Sequence, residues 1–143
     1  MFGVCVWYIL KKNHILHKTI NRYSESFNTY PFLAHITIKH SLDRQEAQNI
    51  WATHKKYTFF PCGDIVQTST QLDEGVFYAL EQPLKVLETN EDFHVSLAYR
   101  MDKKFQPFEI AIVSDIEAIL EEDIDICVAD CSGDIKDWKI LYK

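Results

Sequence analysis

Glycine and proline are scarce, four of each in 143 residues. There is no low-complexity tract and no Pro/Gly-rich linker dividing the chain, so one domain spanning residues 1–143 is expected. No apolar run approaches the roughly 20 residues that a membrane-crossing helix needs, which leaves the membrane out as a partner. Met1 leads into an apolar, strand-like stretch with no basic flank before it, unlike a signal peptide, and the expected compartment is the cytoplasm. Positive charge is also short: 15 Lys and Arg against 21 Asp and Glu leave a net charge of −6. A groove for long duplex nucleic acid needs clustered cations to neutralise many phosphates, so that partner is not expected. A small anionic ligand needs only a few local cations and amides, which this composition permits.

The four cysteines, Cys5, Cys62, Cys127 and Cys131, form no Cys-x-x-Cys pair and show no zinc-ligand spacing with nearby histidines. Cys127 and Cys131 have the parity of one strand face and read as buried thiols. No metal site and no cofactor are expected.

What is present is a series of β-branched and aromatic runs interleaved with amphipathic segments. Phe2–Leu10 reads as a strand. Leu16, Ile20, Tyr23 and Phe27 then recur on one face of a helix. Pro31 forbids its continuation, and Phe32–Lys39 reads as a second strand. Asp43 with Glu46 forms a capping-box pattern that opens a second helix. Tyr57–Gln67 and Val76–Glu81 are expected strands joined by the polar stretch Thr68–Gly75, and Asp92–Arg100 is another. Pro107 suits the first turn of a helix running to about Glu121, although Glu109–Val113 would also suit a strand. Two strand-like runs, Asp125–Cys131 and Ile135–Tyr142, flank Ser132-Gly133-Asp134 in a hairpin pattern. The order implies an α+β fold with two lobes.

Two patches repeat inside strand segments: His35-Ile36-Thr37-Ile38 and His94-Val95-Ser96-Leu97. Strand alternation puts His and the hydroxyl residue on one face and the two apolar residues on the other. Brought side by side, the patches offer two imidazoles and two hydroxyls. That set suits phosphodiester chemistry. One imidazole takes a proton from the attacking oxygen, the other donates to the leaving oxygen, and the hydroxyls bond the non-bridging oxygens where charge develops. A third His-x-Thr occurrence, His17-Lys18-Thr19, lies in the first expected helix, where i, i+2 side chains diverge, and it is set aside.

The paired motifs resemble the signature of the 2H phosphoesterase superfamily, His-φ-Thr/Ser-φ once per lobe. The likeness spans both halves of the chain, and all four motif positions match. The resemblance implies a pseudo-symmetric fold with antiparallel sheets lining a central cleft and helices outside. It also implies metal-independent acid–base catalysis, with His35, Thr37, His94 and Ser96 as catalytic residues. Implied substrates are small nucleotide phosphodiesters: a 2′,3′-cyclic phosphate, a 2′-5′ oligonucleotide or a cyclic oligonucleotide signal. Which histidine is base and which acid stays open at this level. The protein is expected to act as a monomer on a small nucleotide or short oligonucleotide.

Around the motifs, Lys39 has the parity of His35 and Thr37, and Arg100 that of His94 and Ser96; each is a candidate phosphate contact or a solvated charge ending its strand. Trp7 resembles aromatic residues that family members place near the substrate base, and is equally suited to the core. Tyr78 and Trp138 are further substrate-binding candidates, whereas Tyr99 is expected to point into the core. The rival reading from another class is a nucleotide- or RNA-binding module of the same fold without turnover.

Overall fold

The strand Gly3–Leu10 (β1) uses both of its edges, and six consecutive residues from Cys5 to Leu10 are buried. In the computed structural model, which describes all 143 residues from Met1 to Lys143, β1 pairs antiparallel with His35–Leu42 (β2) on one side. On the other side it pairs antiparallel with the strand Ile124–Cys131, the seventh in chain order (β7). Lys139–Tyr142 (β8) closes that edge. The other half of the sheet is built on Gly75–Lys85 (β5), which pairs with Phe93–Met101 (β6). Val66–Leu72 (β4) and the two-residue strand Phe60–Pro61 (β3) lie along the free edge of β5. The halves meet where β2 runs beside β6, and the one register pair there is Ile36–Val95. All pairings are antiparallel. Instead of two separate sheets there is one eight-stranded sheet, narrowly joined at that seam.

Ile15–Phe27 (α1) folds as its periodicity predicts, burying Leu16, Ile20, Tyr23 and Phe27 in one stripe. The Nδ1 of His14 accepts from Leu16 N at its start, and Asn28, at φ 55, ends it in the left-handed conformation. Arg44–Thr53 (α2) begins with the capping box of Asp43 and Glu46. Both helices cover the sheet face that carries Val6, Tyr8, Ile36 and Val95. Full burial of each large apolar side chain there contributes about 1.5–3 kcal/mol. No helix is long and apolar enough to cross a membrane.

Three sequence expectations are corrected. Tyr57–Gln67 is not one strand: only Phe60–Pro61 pairs as such, with Phe59 bridged to Ile119. The polar stretch beginning at Thr68 is instead most of β4, joined to β5 by the two-residue turn Asp73-Glu74. Backbone pairing at a solvated edge needs no apolar alternation, so Gln67–Gln71 carries no hydrophobic signal. Gly75 leaves that turn at φ 142, with the Asp102 carboxylate standing where a Cβ would be. The helix expected from Pro107 to Glu121 stops after one turn, Pro107–Ile110 (α3). Beyond it Val113 and Ile119 are buried in the core from irregular backbone, and Ser114 N donates to Tyr23 Oη. Tertiary burial of β-branched residues overrides the weak helical preference of this segment.

Candidate active site

The Ile36–Val95 pairing sets the register of the two motif strands. Counting outward along antiparallel strands, Thr37 stands opposite His94 and His35 opposite Ser96. Each histidine thus faces the other motif's hydroxyl residue across the seam. Ile36 and Val95 are fully buried on the helix side, as alternation requires, and all four polar residues line one cleft of about 330 Å³ on the opposite face.

The two histidines differ in environment. His35 is 4% exposed. Its Nδ1 lies 2.6 Å from Leu33 O. A carbonyl only accepts, so Nδ1 carries the proton and Nε2 the lone pair in the neutral ring. Burial, with a smaller contribution from the neighbouring His94, holds this imidazole well below the ordinary histidine value, at about 4, against the opposing hydrogen bond to Leu33 O. Its ring stacks on Trp7 with centroids 3.8 Å apart and planes 18° apart. His94 is open to solvent, its side chain 46% exposed, and its Nε2 lies 2.8 Å from Glu81 Oε2.

Glu81 is the cleft residue that sequence reasoning missed. It lies on β5 opposite Ser96, on the cleft face with Phe77 and Ala79, and is 9% exposed. The one available signal was an acidic residue directly after the apolar run Val76–Leu80.

Each motif strand is irregular at the last residue of its motif. On β6, Glu81 faces Ser96 but Leu80 faces Ala98, so Leu97 is an inserted residue. On β2, Trp7 faces Thr37 but Val6 faces Lys39, so Ile38 is inserted. A bulge of this kind reverses the side-chain parity of everything beyond it. Leu97 and Ala98 both enter the core beneath the helices. Tyr99, expected in that core, turns into the cleft, buried against Phe32 and Phe77. Burial raises its phenol above the ordinary range.

The same bulge corrects Arg100, which is not a cleft residue. Its guanidinium forks onto both carboxylate oxygens of Glu109 at 2.8 and 2.9 Å and lies 4.2 Å from the Phe105 ring centroid. Those hydrogen bonds hold Glu109 down at about 2. Tyr78 is also corrected: it pairs with Arg100 and packs on the helix-side core. Lys39 stays at the cleft rim, exposed, but His40 rather than Lys39 resumes the cleft face, beside Phe2. Trp7 is only 2% exposed and one face of its indole is occupied by His35, so it positions that histidine and is not a free platform for a base. Trp138 is half-buried, 6.3 Å from both the His35 and Trp7 rings, and is the accessible aromatic of the site.

His17 is a tether: its Nδ1 accepts from Ala34 N and its Nε2 bonds Leu10 O, tying the end of β1 to the start of β2. Cys5, Cys127 and Cys131 are buried free thiols under the cleft, and burial pushes Cys127 up to about 12. No group of three or more His, Cys, Asp or Glu side chains is arranged to hold a metal ion. Comparison of the chain with protein-family models, curated proteins and solved structures gives no match in any of the three.

Proposed function

We propose that this chain is a metal-independent phosphodiesterase of the 2H type, acting on a small nucleotide phosphodiester by two-histidine acid–base catalysis. The observation that carries the reading is the register at the seam, which gathers His35, Thr37, His94 and Ser96 in one cleft. Each half of the sheet contributes one His-apolar-hydroxyl motif with an inserted residue directly after the hydroxyl residue, and β2 is irregular a second time farther along, between the partners of Val6 and Val4. This repetition supports a pseudo-symmetric, two-lobed origin for the fold.

The environments divide the roles. His35 is the base: burial keeps it neutral at pH 7, and the Leu33 carbonyl fixes the tautomer whose Nε2 accepts a proton from water or a ribose hydroxyl. An anionic phosphate nearby favours the imidazolium that forms. His94, solvent-accessible and partnered by Glu81, donates the proton to the leaving oxygen and is recharged from solvent. Thr37 and Ser96 donate hydrogen bonds to the non-bridging oxygens, whose charge grows in the transition state.

The test is a panel of 2′,3′-cyclic mononucleotides, 2′-5′ oligoadenylate and cyclic dinucleotides, read by product mass for the wild type, His35→Ala and His94→Ala. Turnover of one class, undiminished by EDTA and abolished in both variants, is expected. Full activity of His94→Ala, or strict metal dependence, overturns the mechanism. Binding by the wild type without turnover of any member identifies a non-catalytic module instead.

A further inference from the structure

Trp7 and Trp138 line a second cavity as well as the catalytic cleft, so the two spaces share a wall. The second cavity is the larger, about 610 Å³ against about 330 Å³. Its charge is opposite to the chain's. Three lysines, Lys12, Lys136 and Lys143, line it with no acidic side chain, in a protein of net charge −6. None of the three enters an ion pair or a side-chain hydrogen bond with another protein group, and all are exposed. They share the lining with apolar residues that include Phe32 and the exposed Leu33, and with Asn21. Leu33 links the compartments directly, because its carbonyl holds the Nδ1 proton of His35.

Unpaired ammonium groups around an apolar, aromatic-walled space form a recognition site for an anion carried on a flat, apolar body. We propose that this cavity is a second-phosphate subsite. On the phosphodiesterase reading, the substrate is then a nucleotide with two phosphates. One is the diester cleaved between His35 and His94; the other is a phosphomonoester one nucleoside away, held by Lys12 and Lys136. Trp138, at the junction, stacks on the nucleoside between them. The inference rests on the proposed activity for the first phosphate and on the lysine-lined cavity alone for the second.

The two dependences separate experimentally. Turnover of adenosine 2′,3′-cyclic phosphate is compared with that of the same compound bearing a 5′-phosphate, in the wild type and in Lys12→Ala/Lys136→Ala. The wild type is expected to show a KM about tenfold lower for the 5′-phosphorylated compound, and the double variant to erase that ratio. Adenosine 5′-monophosphate serves as a probe of binding without chemistry, followed by tryptophan fluorescence. Its affinity is expected to fall about tenfold in the double variant and to weaken with salt. If neither compound is turned over but the lysine-dependent binding is found, the subsite stands and adenosine 2′,3′-cyclic phosphates are excluded as substrates of the cleft. Equal KM values in the wild type, or binding of the probe unchanged by loss of both lysines, overturns the subsite.

Discussion

The His35 imidazole lies flat against the Trp7 indole, 3.8 Å between centroids, while the Leu33 carbonyl holds its Nδ1. One contact fixes the plane of the ring and the other its rotation within that plane. On the proposed mechanism, a base held in this way would lose little entropy on substrate binding.

Trp7 is therefore expected to act on turnover through His35. Trp7→Ala opens a large void and lowers stability by about 3–5 kcal/mol. Trp7→Phe keeps a flat ring. In steady-state kinetics Trp7→Phe is expected to lower kcat severalfold with KM nearly unchanged. A rise in KM at constant kcat would instead show Trp7 contacting substrate.

The buried His35 makes folding pH-dependent. In the unfolded chain this side chain takes up its proton near pH 6.5, and in the folded protein only near 4. Between those values the unfolded state binds more protons, so acidification destabilises the fold, by about 3 kcal/mol in all. Stability is full above pH 6.5 and this contribution is gone below 4. Urea denaturation at a series of pH values should show that loss in the wild type and not in His35→Asn, once the loss common to both is subtracted.

The Glu81 carboxylate lies 2.8 Å from His94 Nε2, in the cleft that the proposed anionic substrate would occupy. Glu81→Gln keeps the shape and removes the charge. Lower electrostatic repulsion should reduce KM, and a less firmly oriented imidazole should reduce kcat, each by about tenfold. A variant with wild-type kcat would show that the carboxylate has no part in orienting His94.

Arg100 supports the structure and not the substrate. Its guanidinium is 10% exposed and locked to Glu109 on the helix side of β6. Arg100→Ala removes the fork onto Glu109 and the contact with the Phe105 ring, and is expected to cost about 2 kcal/mol in thermal or chemical unfolding. At temperatures where the variant is folded, KM should match the wild type. A KM raised tenfold or more would return Arg100 to the cleft.

The candidate site was legible in the sequence to the extent that it depends on local parity. His35 with Thr37, and His94 with Ser96, share a face because alternate residues of any strand do, and the apolar residues between them had to be buried. The stripe of α1 and the capping box of α2 were legible for the same reason: each is a relation among residues a few positions apart. Arg100 and Tyr99 were misplaced by extending that parity past Leu97, where β6 bulges, whereas Lys39 lies at the cleft rim even though β2 bulges at Ile38. No local pattern marks those insertions, because they are set by how β2 and β6 fit their neighbours. The polar edge strand β4 was hidden because its stability lies in backbone pairing with β5. Glu81 was hidden because its importance lies in facing a residue of a different strand.

By itself, then, the sequence determined the two motif strands, the faces they present and the chemistry of the four side chains, since these follow from strand geometry and functional groups. Only the tertiary structure decided that Ile36 meets Val95, that Trp7 and Leu33 immobilise His35, that Glu81 reaches His94, and that three lysines close on a neighbouring cavity. Each of these is a contact between segments distant along the chain. Its existence depends on the register and bulges of a sheet whose pairing energy is shared among all its strands.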